Sequence, residues 1–416
     1  LVSTQTNLKI DGKRLLTDFE VLGEIGATVG GGITRLALSN DDLVARAWFA
    51  DRIEEAGLWV QDDEVGNLGG VLSSENPHAK TLLIGSHLDT VPNGGRYDGA
   101  IGVLAGLECL RTIKESGIKL NTNLEVINFT DEEGTWKSFL GSYGLTGKLS
   151  PDDINDSLQD NGAFRAALFR AGILPPEIRR AKRDPEKILG YLELHIEQSD
   201  KLYHAKKDIG IVKRIVGRTT FNLTFFGEAA HAGTTTAEQR RDALQGAAAF
   251  IILVHSVITQ EYSESVVNCG HVSVKPDTFN VVPSEASLRV ECRHPNTEKL
   301  KEIEARIIRL AQDCAKDYRL SVGIDRVLHR EAEQMSLDLI KQIELSCQEE
   351  DASYMDIVSY AGHDAQILNQ IVPTAMIFLP SVDGISHNPK EFTEWHHIET
   401  GANILLRTIL RLTSND

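Results

Sequence analysis

Four short apolar runs in this chain each lead directly into a histidine or a carboxylate, and that pattern restricts the fold more than any other feature. Residues 81–85 run into His87, 124–129 into Glu132 and Glu133, 190–194 into His195, and 374–379 toward His387. Between the first two, residues 99–116 carry Ile101, Leu104, Leu107 and Leu110 at helical spacing. Strands alternating with helical patterns predict an α/β sheet. Open sheets of that kind gather their sites beyond the carboxyl ends of their strands.

The residues at those ends share one chemistry. His87, Asp98, Glu133, His195 and His387 read together as a binuclear metal site. Two divalent ions need several nitrogen and oxygen ligands, a carboxylate to bridge them and an open position for water. Imidazole with carboxylate suits zinc, manganese, cobalt or nickel better than calcium, which prefers oxygen alone. Glu132 is a spare carboxylate beside a ligand, where a hydrolase keeps its general base. The pattern points to a metal-dependent hydrolase.

A second pattern interrupts the first. A strand over 212–226, a helix over 240–262, strands over 266–274 and 286–293, a helix over 297–316 and a strand over 321–325 give the β-α-β-β-α-β order of a ferredoxin-like unit. None of the five ligands falls inside it, yet ligands lie on both sides. The expected organisation is a catalytic domain over 1–211 and 326–416, with an inserted dimerisation or lid domain over 212–325.

Charge and composition narrow the partners. The net charge is −17, with no Lys/Arg-rich run, which disfavours nucleic acid. The longest strongly apolar stretch, near 246–254, reads as too short to span a bilayer. Five cysteines without CxxC spacing argue against a disulfide framework or a thiolate zinc site, and no signal peptide is visible. A cytoplasmic location is expected.

These motifs also carry a family resemblance. The chain resembles the M20-type amidases, in the branch of N-carbamoyl-L-amino-acid amidohydrolases, β-ureidopropionases and allantoate amidohydrolases. The match runs from GGITR at 31–35 through GSHLDTVPNGGRYDG at 85–99, FTDEEG at 129–134 and ELHIEQ at 193–198. It continues in AHAGTT at 230–235, NVVP at 280–283, AGHD at 361–364, MIFLPS at 376–381 and Ser386-His387. Peptidase relatives usually hold a carboxylate where this chain has His195.

The resemblance implies His87 and His195 on one ion, Glu133 and His387 on the other, and Asp98 bridging. It implies that Asp89 hydrogen-bonds the His87 imidazole, that Glu132 moves the proton, and that His231 stabilises the oxyanion from the partner subunit. Arg293 is implied to receive a substrate carboxylate, and Asn280 and Gln198 to bond the rest of a small anionic ureido substrate. The implied activity is hydrolysis of N-carbamoyl-L-amino acids, or of N-carbamoyl-β-alanine, to amino acid, ammonia and carbon dioxide by a homodimer. Allantoate hydrolysis is the alternative; an aminoacylase, a dipeptidase or a silent binding protein stands further off. Trp136 and Tyr360 depart from the family pattern as bulky residues expected near the pocket.

Overall fold

A computed structural model describes residues 8–150, 153–154 and 162–413. The ends of the expected catalytic domain, 1–7 and 414–416, lie outside the described residues. Two compact units divide the chain: Leu1–Lys213 with Gln334–Ile357 and Gly362–Asp416, and Arg214–Glu333 with Val358–Ala361.

The nine-stranded sheet of the first unit is ordered Trp59–Asp62, Leu68–Leu72, Asn123–Phe129, Thr81–His87, Ile188–Ile196, Thr374–Leu379, Ile209–Ile215, Glu333–Gln334. Tyr354–Ser359 also pairs with Ile209–Ile215. The four strands read from the apolar runs stand side by side and parallel in its middle. Their positions are buried almost throughout, which is why the runs are continuously apolar rather than alternating. Helix Ala100–Ser116 packs on Thr81–His87 and buries every residue from Ala100 to Ile113. Parallel neighbours make the four strands end on the same side of the sheet, and His87 stands level with Phe129 and His195 level with Phe378.

The second unit is a four-stranded antiparallel sheet in the order Ser321–Arg330, Gly217–Phe226, Glu285–His294, Val266–Lys275. Helices Ala243–Glu261 and Thr297–Asp317 pack on it, which gives the ferredoxin-like order. Phe225, Phe250, Leu223, Val290 and Ile307 close its core without exposure to solvent.

Three expectations change here. The strand read over 212–226 is two strands: Ile209–Ile215 joins the large sheet and Gly217–Phe226 the small one. No proline or polar turn cluster marks the break between Ile215 and Gly217, so the sequence hides it. The helix read from 240 begins at Ala243 with Asp242 as its N-cap, and Arg240 before it turns back to donate to the Thr235 and Ala232 carbonyls. The apolar stretch near 246–254 belongs to the 19-residue helix Ala243–Glu261, which by length and composition alone is sufficient to cross a bilayer. Its Ala247, Phe250, Val254 and Ile258 lie in the core of the second unit.

Candidate metal centre

Each proposed ligand sits where a strand or turn holds it. His87 ends its strand and His195 lies one residue before the end of its own. Asp98 precedes helix Ala100–Ser116, whose amino end favours an anion. The turn after Asn123–Phe129 carries Glu132 and Glu133, and the loop beyond Thr374–Leu379 carries His387. Gly99 permits the close approach, since at φ +65° it has no side chain, and a Cβ there would lie 2.4 Å from the His87 ring.

Asp98 lies at the centre of the group. Its Oδ1 is 3.6 Å from His87 Nε2 and 3.2 Å from His195 Nε2; its Oδ2 is 3.3 Å from His387 Nε2. Glu133 Oε1 lies 3.5 Å from His387 Nε2. Donors sharing one tetrahedral ion at bonds of about 2.0–2.1 Å stand about 3.3 Å apart, so these spacings fit two ions with one carboxylate oxygen facing each. Nδ1 of His87 is 2.9 Å from the Asp89 carbonyl and Nδ1 of His195 is 2.9 Å from the Ile196 carbonyl. A proton on each Nδ1 leaves each Nε2 lone pair for an ion.

Burial makes the set costly without a cation. His87 is pushed down to about 4 by burial, against the pull of Asp98. Glu132 and Glu133 are both raised well above the usual carboxylate range, first by burial and then by one another's negative neighbours. A divalent ion offsets the shift of the two carboxylates by supplying positive charge, and it takes the neutral imidazole that burial already favours at His87. The donor types, their spacing and their uncompensated charge all fit divalent metal. His387 is half exposed, whereas His87 and His195 are sealed, so the centre opens to solvent on the His387 side.

The structure reassigns one contact. The Asp89 carboxylate does not hold the imidazole; its Oδ1 is 3.8 Å from His87 Nδ1, and the residue's backbone carbonyl makes that bond. The carboxylate instead accepts from Glu132 N at 3.3 Å and Glu133 N at 3.2 Å, fixing the turn that carries both acids. Gln198 donates through Nε2 to Asp98 Oδ2 at 2.8 Å, while its buried Oε1 accepts no hydrogen bond among the described residues. Glu132 Oε2 lies 3.6 Å from His87 Nε2, beside the donors.

Sequence reasoning passed over several residues. Asp131, buried, accepts from Thr135 N, Trp136 N and Lys137 N and so shapes the acidic turn from behind. Its place in a run of three acids concealed that role. His363 is buried with its ring edge-on to His195 at 4.5 Å. Ser386 and Glu391 reach the Asp98 segment. Trp136, expected near the pocket, stacks on Phe164 in a small side core and donates its indole N–H to the Ala37 carbonyl.

His231, Asn280 and Arg293 lie in the second unit. The two-residue strand Ala230–His231 pairs with Val281–Val282, and Ala232 N donates to the Asn280 carbonyl, so two of the three lie on neighbouring paired segments. His231 Nδ1 accepts from Gly233 N and Thr234 N, which puts the proton of the neutral ring on Nε2. Arg293 is steadied by Glu291 at 2.7 Å and the Tyr360 carbonyl at 2.5 Å. A further group, Asp208, His396 and His397, stands apart from the centre. Its histidines open helix Trp395–Thr413, where the helix dipole disfavours a cation.

A mixed sheet whose parallel core ends in a carboxylate-centred histidine cluster defines a metallohydrolase of the M20 type, and residues 83–411 match peptidase family M20/M25/M40, to which the chain belongs. Within it, the chain is 35% identical to an N-carbamoyl-L-amino-acid amidohydrolase of Pseudomonas sp. (strain NS671), over 97% of this chain and 98% of that one. It is 34% identical to an allantoate amidohydrolase of Escherichia coli (strain K12), over 94% and 95%. An amidase of the hydantoinase/carbamoylase family from Burkholderia multivorans has the same fold, with a TM-score of 0.86 at 33% identity over 98% of this chain and 99% of that one.

Metal-free protein titrated with manganese, cobalt, zinc or nickel is expected to gain stability, by about 2.7 kcal/mol at a free ion concentration one hundred times Kd. Thermal unfolding with and without chelator reads this. A melting temperature indifferent to all four ions contradicts the reading of the cluster.

Proposed function

We propose that this protein is an amidohydrolase that cleaves the carbamoyl C–N bond of N-carbamoyl-L-amino acids. The observation that carries the reading is Asp98 facing a separate donor group with each oxygen while Glu132 stands spare beside them. Histidine at 195, the branch resemblance and the relatives named for this activity support the carbamoyl substrate over a peptide. Water adds to the ureido carbon, and the products are the free amino acid, ammonia and carbon dioxide.

Two divalent ions held by His87, His195, Asp98, Glu133 and His387 would supply Lewis-acid activation of water and of the substrate carbonyl. Glu132 takes the proton from water and hands it to the departing nitrogen. His231 donates from Nε2 to the developing oxyanion. Arg293 receives the substrate carboxylate, for which a guanidinium is the best-shaped cation. Asn280 and the free Oε1 of Gln198 bond the polar groups between.

The protein is further proposed to be a homodimer through its second unit. Val266–Lys275 is an edge strand of the small sheet and exposes Val266 and Val272. Helix Ala243–Glu261 exposes Ile252 and Leu253. An unpaired edge beside an apolar surface is a liability for a lone subunit, and antiparallel pairing with a second copy satisfies it by two-fold symmetry. Ile252→Glu combined with Val272→Lys is expected to turn the dimer into a monomer in sedimentation velocity. A wild-type monomer with full turnover contradicts this assembly.

Ammonia release from N-carbamoyl-L-amino acids, N-carbamoyl-β-alanine and allantoate, with amine release from an N-acetyl amino acid alongside, tests the activity. Turnover of carbamoyl amino acids supports the reading, and turnover of allantoate alone moves the substrate and keeps the chemistry. Glu132→Gln is expected to bind metal normally and to lose roughly 10²- to 10⁴-fold in kcat. Near-normal kcat in that variant removes Glu132 from the proton transfer.

A further inference from the structure

One buried carboxylate has no part in the chemistry above, yet it meets two of the ligand segments. Glu391 is buried, four residues beyond His387. Its Oε1 accepts from Tyr97 N at 3.0 Å and from Asp98 N at 3.1 Å. Its Oε2 is 3.0 Å from Ser386 Oγ, and that hydroxyl is also 3.0 Å from Asp98 Oδ2. One side chain therefore fixes the backbone of Asp98, and through Ser386 it fixes the residue adjoining His387.

The surroundings are built for this contact. A Cβ on Gly95 would fall 2.0 Å from Glu391 Oε1, so glycine there is what admits the carboxylate. The next residue, Phe392, packs edge-on against Tyr97 with ring centroids 6.2 Å apart. Two segments almost 300 residues apart in sequence are closed on each other by one anchor, and both carry donors of the group Asp98, Glu133 and His387. The other histidines depend on different anchors: His87 on the Asp89 carbonyl and His195 on the Ile196 carbonyl.

We infer that Glu391 is a positioning residue of the metal centre, setting the affinity of the Asp98–Glu133–His387 group by locking Asp98 and His387 in register. The inference rests on the proposed metal reading and goes beyond it, because it makes one ion position selectively dependent on a residue that holds neither ion. Partners that orient ligands typically cost 10- to 100-fold in metal affinity when removed. Glu391→Ala is expected to lose roughly that much at one position. Glu391→Gln keeps a carbonyl for the two amides and a polar group for Ser386, so it is expected to retain most of the affinity.

The experiment is isothermal titration of manganese into metal-free full-length protein, for wild type, Glu391→Ala, Glu391→Gln and His387→Ala, with circular dichroism and a melting curve for each. His387→Ala identifies which binding step belongs to the group in question. Two steps in wild type, with Glu391→Ala weakening the step that His387→Ala removes and Glu391→Gln restoring it, support the inference. Unchanged steps in Glu391→Ala overturn it. Equal weakening of both steps, or loss of folded signal in both Glu391 variants, overturns it in favour of general support of the fold. A wild type that binds no ion defeats the metal reading itself, and this inference with it.

Discussion

A single carboxylate organises this protein. Asp98 turns one oxygen toward His87 and His195 and the other toward His387, so two donor groups on distant segments meet at one side chain. Ionising the acids beside it is costly, because burial raises Glu132 and Glu133 and nearby negative charge, Glu133 for the first and Asp98 for the second, raises them further. What resolves that conflict is divalent charge. The geometry and the electrostatics therefore reach the same conclusion independently: spacing shows where ions fit, and buried negative charge shows why they are needed.

The fold makes that meeting possible. Four parallel neighbouring strands bring their carboxyl ends to one side, and only parallel neighbours do so. Helix Ala100–Ser116 then turns its amino end toward the same place directly after Asp98. Around this frame, a second set of polar groups holds the ligands still. Asp89 and Asp131 fix the acidic turn through backbone amides, main-chain carbonyls set the tautomers of His87 and His195, and Gln198 bonds Asp98 Oδ2.

The residues proposed as ligands could be picked out in the sequence because they follow the ends of apolar runs, a pattern set by local chain chemistry. The parallel core, the helix after Asp98 and the ferredoxin-like order of the second unit were legible for the same reason. What was hidden depends on distance in the chain. Residues 212–226 read as one strand because no proline or polar turn cluster interrupts them near Val216 and Gly217, and only the sheets themselves separate the halves. Asp131 stands in a run of three acids, and nothing in that run discloses the three amides it accepts from. Glu391 sits in an unremarkable polar loop, and its importance lies in amides almost 300 residues away. Asp89 was found for the right neighbourhood but the wrong atom, since sequence does not separate a carboxylate from the carbonyl of the same residue.

The central claim is that Asp98 lies between two ions. An anomalous-difference map from crystals grown with manganese, recorded at the manganese edge, addresses it directly. The account predicts two peaks about 3.5–4 Å apart, one beside His87 and His195 and the other beside Glu133 and His387, with Asp98 contacting both. A single peak, or two peaks with Asp98 bound to only one, would contradict it.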